Sequence, residues 1–126
     1  MRARALVSVA VVAFGFLGAS TGIGLAEDAT LTWSFRNNHE NRVQLEFYSQ
    51  NRDIAWPGGG EAYVLDDYDL HTFRLNCWEG EKICYGAWLD GDSDTYWGVG
   101  IDDKHGCEDC CVTCETADAG TRNLDP

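Results

Sequence analysis

The sequence predicts an all-β fold, a small antiparallel sandwich or partly open barrel, cross-linked by a cysteine-rich segment near its C-terminus. Three observations carry this. Beyond the first 26 residues helical periodicity is scarce. Short aromatic and β-branched runs recur between turn-forming residues, at intervals of roughly ten residues. Six cysteines, an even number, suit an exported domain too small to rely on its core alone.

The first 26 residues read differently from the rest. Arg2 and Arg4 precede an apolar run from Leu6 to about Ala19, and small residues lead to Gly24-Leu25-Ala26 before the acidic pair Glu27-Asp28. A charged start, an apolar middle and a small-residue exit are the marks of a secretory signal peptide. The apolar run, about 14 residues, is short for a bilayer span. No basic stop-transfer cluster follows it, and an uncleaved N-terminal anchor is the alternative. Residues 27–115 are then expected to form a single β domain and 116–126 a disordered tail, because few large apolar groups follow Thr116. The expected location is secreted or periplasmic.

Charge narrows the partners. The chain carries 9 Lys+Arg against 21 Asp+Glu, and without the two early arginines the formal charge falls from −12 to −14. Such a surface repels phosphate backbones and anionic headgroups, which argues against nucleic acid and anionic membrane surfaces. A basic protein, a cation or a small ligand remains as a partner.

The elements follow in order. Leu31, Trp33 and Phe35 alternate with polar residues, "NNHEN" turns the chain at 37–41, and Val43, Leu45 and Phe47 alternate again, as two strands of a first antiparallel hairpin would. "WPGGG" from Trp56 to Gly60 interrupts. A short strand at 62–65 runs into the acidic turn Asp66-Asp67-Tyr68-Asp69, and three strands are expected at 71–77, 83–89 and 95–101. In the last two, Ile83, Tyr85, Ala87 and Leu89 share a core face with Thr95, Trp97, Val99 and Ile101 when "DGDSD" is a five-residue loop. The opposite face carries Cys84, Gly86, Trp88, Tyr96, Gly98 and Gly100. Glycines within strands mark a bulge or the close approach of another segment. Residues 107–114 are expected to fold back over this glycine face and meet Cys84. Whether Cys77 lies beside Cys84, or points inward with Phe73 and Leu75, depends on a loop length that the pattern leaves open.

Cysteine spacing carries the site. Cys107, Cys110, Cys111 and Cys114 form C-x2-C-C-x2-C, with Cys77 and Cys84 upstream. In an oxidising compartment the six form three disulfides, and adjacent Cys110 and Cys111 go to different partners because neighbouring side chains diverge. The alternative is a zinc site on Cys107, Cys110, Cys111 and Cys114 with Cys84 or Cys77, since C-x2-C lets one tight turn grip a tetrahedral ion. The two knuckles abut, however, and Cys77-x6-Cys84 is too wide for a standard one. A C-x2-C redox centre normally heads a helix after a strand, and no such unit is visible.

Other groups carry weaker signals. "DGDSD" spaces Asp90, Asp92 and Asp94 as oxygen-rich calcium loops do, yet Thr95 and Ile101 stand where an EF-hand needs Gly and Glu. Asp66, Asp67 and Asp69 form a similar acidic turn. His39, His71 and His105 are scattered, with only His105 near the cysteines as a possible further ligand. No catalytic residue is marked out. Trp56 in the Pro/Gly loop and Trp88 on the glycine face are the candidate partner surface.

"GEKICYGAW" at 80–88, "YWGVG" at 96–100 and "GCEDCCVTC" at 106–114 together resemble a set of short exported bacterial proteins of uncharacterised function. The resemblance covers about the last half of the mature domain and implies a bacterial, exported setting, with no activity or ligand attached. The expectation is an exported, non-catalytic binding or structural domain held by disulfides and needing no cofactor, with zinc binding as the alternative.

Overall fold

The computed structural model describes residues 27–126, so the predicted signal segment lies outside the described residues. Nine strands follow one another: β1 (Asp28–Asn37), β2 (Val43–Ser49), β3 (Ala55–Trp56), β4 (Tyr63–Leu65), β5 (Leu70–Trp78), β6 (Lys82–Leu89), β7 (Asp92–Gly98), β8 (Cys111–Thr113) and β9 (Ala117–Leu124). They build two open sheets, one ordered β5-β1-β9 and one centred on the β2–β6 pair. A 3-10 turn at Ile101–Asp103 is the one helical element among the described residues. The expected all-β, unclosed architecture with a cross-linked C-terminal segment is what the chain adopts.

Alternation places the core. Leu31, Trp33 and Phe35 of β1, Val43, Leu45 and Phe47 of β2, and Ile83 and Ala87 of β6 are each at most 1 % exposed. Rings from the two sheets meet in the middle. Phe35 packs edge-on to Tyr85 at 4.9 Å and to Phe47 at 5.5 Å, and Trp33 meets Tyr85 at 5.6 Å. Burying these rings is the main stabilising term, about 1.5–3 kcal/mol for each large side chain.

The first predicted hairpin is corrected. β1 pairs with β5 and β9, whereas β2 pairs with β3, β4 and β6, so the two alternating runs face each other across the core. The segment between them is an arch from sheet to sheet. Asn37, 1 % exposed, holds it: its side-chain amide donates to the Asn41 and Leu65 carbonyls, and its oxygen accepts from His39 N–H.

The tail is also corrected, because residues 117–124 form β9, parallel to β1 along the sheet edge. Backbone pairing needs no apolar side chains, which is why a polar segment takes this place. Its end is fixed by Leu124, fully buried, by Asn38 N–H donating to the Leu124 carbonyl at 3.0 Å, and by Trp97 Nε1 donating to the Asp125 carbonyl at 2.8 Å.

In the second sheet both flanks are interrupted. β3 and β4 share one edge of β2, broken by the Pro57–Gly60 loop, and β7 and β8 share the far edge of β6. The expected faces of β6 and β7 hold at Ala87 opposite Trp97 and Gly86 opposite Gly98, but the expected strand at 95–101 is corrected: a bulge after Trp88 shortens the loop, the strand runs from Asp92 to Gly98, and Ile101 leaves the core face for the 3-10 turn. The close approach at the glycines comes from another segment than expected. A Cβ on Gly86 would lie 2.0 Å from the Gly100 carbonyl oxygen, so the chain after β7 covers this face. The cysteine segment instead lines the edge of β6 as β8, with Cys84 opposite Cys111.

Candidate functional site

All six cysteines are paired: Cys77 with Cys114, Cys84 with Cys111, and Cys107 with Cys110. Cys77 points into the core with Leu75, which answers the open register question. Its bridge to Cys114 ties β5 of one sheet to the stretch where the chain leaves β8 for β9. The same stretch is gripped by backbone bonds in both directions, Cys114 N–H to the Glu81 carbonyl and Gly80 N–H to the Cys114 carbonyl. Cys84–Cys111 joins β6 to β8 directly across the ladder. Cys110 and Cys111 go to different partners, as neighbouring side chains must. With each sulfur bonded to another, none is a thiolate ligand of the kind the zinc alternative requires. Among the described residues no group of three or more His, Cys, Asp or Glu is placed to hold a metal ion.

The outer face of the second sheet forms a groove of about 360 Å³. Because β2 alternates, Glu46 and Tyr48 point outward while Leu45 and Phe47 point to the core. The loop after β2 adds Arg52, Asp53 and Ile54, β3 adds Ala55, and the 3-10 turn brings Asp102 and Asp103 over the top. Tyr48 locks that turn. It is 7 % exposed, and its hydroxyl accepts from Asp102 N–H at 2.9 Å and donates to the Gly100 carbonyl at 3.4 Å. Burial, then the Glu46 charge, pushes the Tyr48 hydroxyl far above the usual phenol range. Asp102 and Asp103 sit at φ 56° and 57°, a left-handed conformation that Asp tolerates better than most residues.

Four carboxylates therefore line the groove, those of Glu46, Asp53, Asp102 and Asp103, beside the carbons of Ile54, Ala55 and Tyr48. Partial burial, then the Asp102 charge, raises the Glu46 carboxyl above its ordinary range. The groove's own cation is engaged elsewhere. Arg52 grips Glu81 through two bonds of 2.6 Å and lies 3.9 Å above the Trp78 ring. Glu81, 3 % exposed, also accepts from Ser49 Oγ and from Trp78 N–H at 2.9 Å. Burial alone would raise its carboxyl, but the bonds from Arg52, Ser49 and Trp78 outweigh that and hold it below the ordinary range.

The remaining expected residues are placed less favourably for contact. Trp88 is only 5 % exposed, so its assignment to a partner surface is corrected: cross-strand neighbours Gln44 and Tyr96 flank it. Trp56 stands opposite Phe47 and packs on the core, on the other side of the sheet from the groove. His105 stacks flat on Tyr96 with centroids 3.9 Å apart, and His39 meets Trp97 edge-on. His71 bonds Asp67 at 2.7 Å, which holds that carboxyl below its usual range. Asp92 accepts from Asp94 N–H and Thr95 Oγ1 within the "DGDSD" turn, while Asp90 accepts from Gln44 Nε2 at 2.8 Å and lies 3.5 Å from Arg42. Sequence reasoning missed Glu81, Tyr48 and the groove acids. Alternation in β2 would have placed Glu46 with Tyr48, but nothing local brings residues 102–103 to them.

Comparison with known proteins gives no matching family model, no matching curated protein and no matching solved structure.

Proposed function

We propose that this protein is an exported, non-catalytic binding domain, held by disulfides, whose groove takes a basic segment of a partner protein. The observation that supports it most is the convergence of Glu46, Asp53, Asp102 and Asp103 on apolar carbons, with Arg52 already committed to Glu81. A lysine or arginine side chain suits such a surface, since its aliphatic stem lies on Ile54 and Ala55 while its charge meets the carboxylates. Three disulfides and the resemblance to exported bacterial proteins agree with an oxidising setting outside the cytoplasm. The overall negative charge would steer a basic partner toward the surface.

The reading is tested by titrating the isotope-labelled protein with an arginine- and lysine-rich peptide and with the same peptide carrying citrulline and acetyl-lysine. Saturable amide shifts are expected around residues 46–55 and 100–103 with the basic peptide alone. The double variant E46Q/D102N should weaken binding about tenfold, the equivalent of about 1.4 kcal/mol. Equal shifts with the neutral peptide, or shifts centred elsewhere, would rule the groove out.

A further inference from the structure

The three bridges are not equivalent, and the difference marks out a second site. Cys77–Cys114 joins two residues at most 2 % exposed across 37 positions, and Cys84–Cys111 spans 27 positions between strands already paired by backbone bonds. Cys107–Cys110 spans only 3. Closing so small a loop removes little freedom from the unfolded chain, so this bridge contributes least to the fold. Cys84–Cys111 also has one partly exposed member, Cys111, but that residue is held in the β6–β8 ladder, whereas Cys107–Cys110 sits in a loop. Cys107 is partly exposed and lies outside any strand, between Gly106, whose Cα faces open space, and the exposed Glu108 and Asp109. Cys110 is different: it is 3 % exposed and its carbonyl is fixed by Tyr85 N–H at 3.0 Å, while the Asp109 carbonyl accepts from Arg122.

We propose that Cys107–Cys110 is a thiol–disulfide exchange site, reduced without unfolding the domain, and selective for cationic over anionic thiols. A small thiolate attacks Cys107 Sγ. The Cys107–Cys110 bond breaks, its electron pair stays on Cys110 Sγ, which takes a proton from water, and a mixed disulfide remains at Cys107. A second thiolate of the same class attacks the small-molecule sulfur of that mixed disulfide, releasing the Cys107 thiolate and one small-molecule disulfide. Two external thiols are thus oxidised as one protein disulfide is reduced. Selectivity comes from charge. The loop closed by the bridge carries exposed Glu108 and Asp109 on a chain of net charge −12, and this local negative field disfavours an anionic thiol such as glutathione and favours a cationic one such as cysteamine. The anchored backbone of Cys110 keeps the resolving sulfur in place, so its thiolate can attack Cys107 Sγ of the mixed disulfide and expel the small thiol, and the fully reduced pair re-closes by the reverse exchange with the small-molecule disulfide, which is reduced to two thiols.

The test exposes the folded, oxidised protein to graded cysteamine or glutathione, quenches with an alkylating agent and maps the labels by peptide mass. At low reductant two labels are expected, on Cys107 and Cys110. Cysteamine should act about tenfold faster than glutathione at low ionic strength, a ratio that collapses at about 1 M salt. The variant E108Q/D109N should speed the glutathione reaction. The variant C107S/C110S should fold, unfold cooperatively near the parent midpoint and lose the early label. Labels appearing first on Cys84 and Cys111, all six sulfurs reacting together, equal rates for the two thiols at low salt, or failure of C107S/C110S to fold would each overturn the proposal.

Discussion

Asn37 makes three hydrogen bonds from a fully enclosed position, and one of its acceptors, the Leu65 carbonyl, is itself buried. Replacing it with Ala leaves that carbonyl without its side-chain donor, and a loss of about 2 kcal/mol is expected, read as a lower urea midpoint at unchanged slope. Glu81 gives a second test at this scale. Its carboxyl is held below the unfolded value, so the folded state binds fewer protons there. Its contribution is therefore fully present above the ordinary carboxylate range and is lost as pH falls through the lowered folded pKa. Thermal melts from pH 7 downward should show the parent losing more stability than E81Q does over that acid window. At neutral pH, Arg52→Ala strands a carboxylate that is 1 % exposed on its side chain, and should cost about 3 kcal/mol.

Among the elements, β6 and β7 were legible because their apolar core residues alternate with a face on which Gly86 and Gly98 stand beside Cys84, Trp88 and Tyr96. The tight contact that the glycines imply is real, and its source is the backbone at Gly100. Gly86→Ala must push that backbone aside and should cost about 2–3 kcal/mol. Gly106→Ala, where an added Cβ meets nothing within 4 Å, should change stability by less than about 0.5 kcal/mol. Paired urea melts of the two variants separate a packing requirement from a loop preference. β9 was illegible for the opposite reason. "ADAGTRNL" has one large apolar residue, and what holds it is a ladder of backbone bonds to β1, to which side-chain patterns are blind.

For the whole molecule the consequential bond is Cys77–Cys114. It joins the first sheet to the crossing that feeds β9, and it lies wholly in the core. Serine at both positions should cost about 2–5 kcal/mol in calorimetric or urea unfolding, and it should loosen β9 in amide exchange before the β2–β6 pair opens. The amino-acid order left the cysteines between disulfides and a zinc site, and what it determined unaided was the all-β class and the inward faces of β1, β2 and β6. These follow from residue alternation and composition, both of which act over a few positions. Which strands pair, which sulfur meets which, and that Asp102 and Asp103 close a groove over Glu46 and Tyr48 were decided only by the folded chain. A hairpin and an arch between sheets impose the same alternation on Leu31–Phe35 and Val43–Phe47. The choice between them rests on the joint burial of rings that lie far apart along the chain, and no local stretch of sequence encodes that.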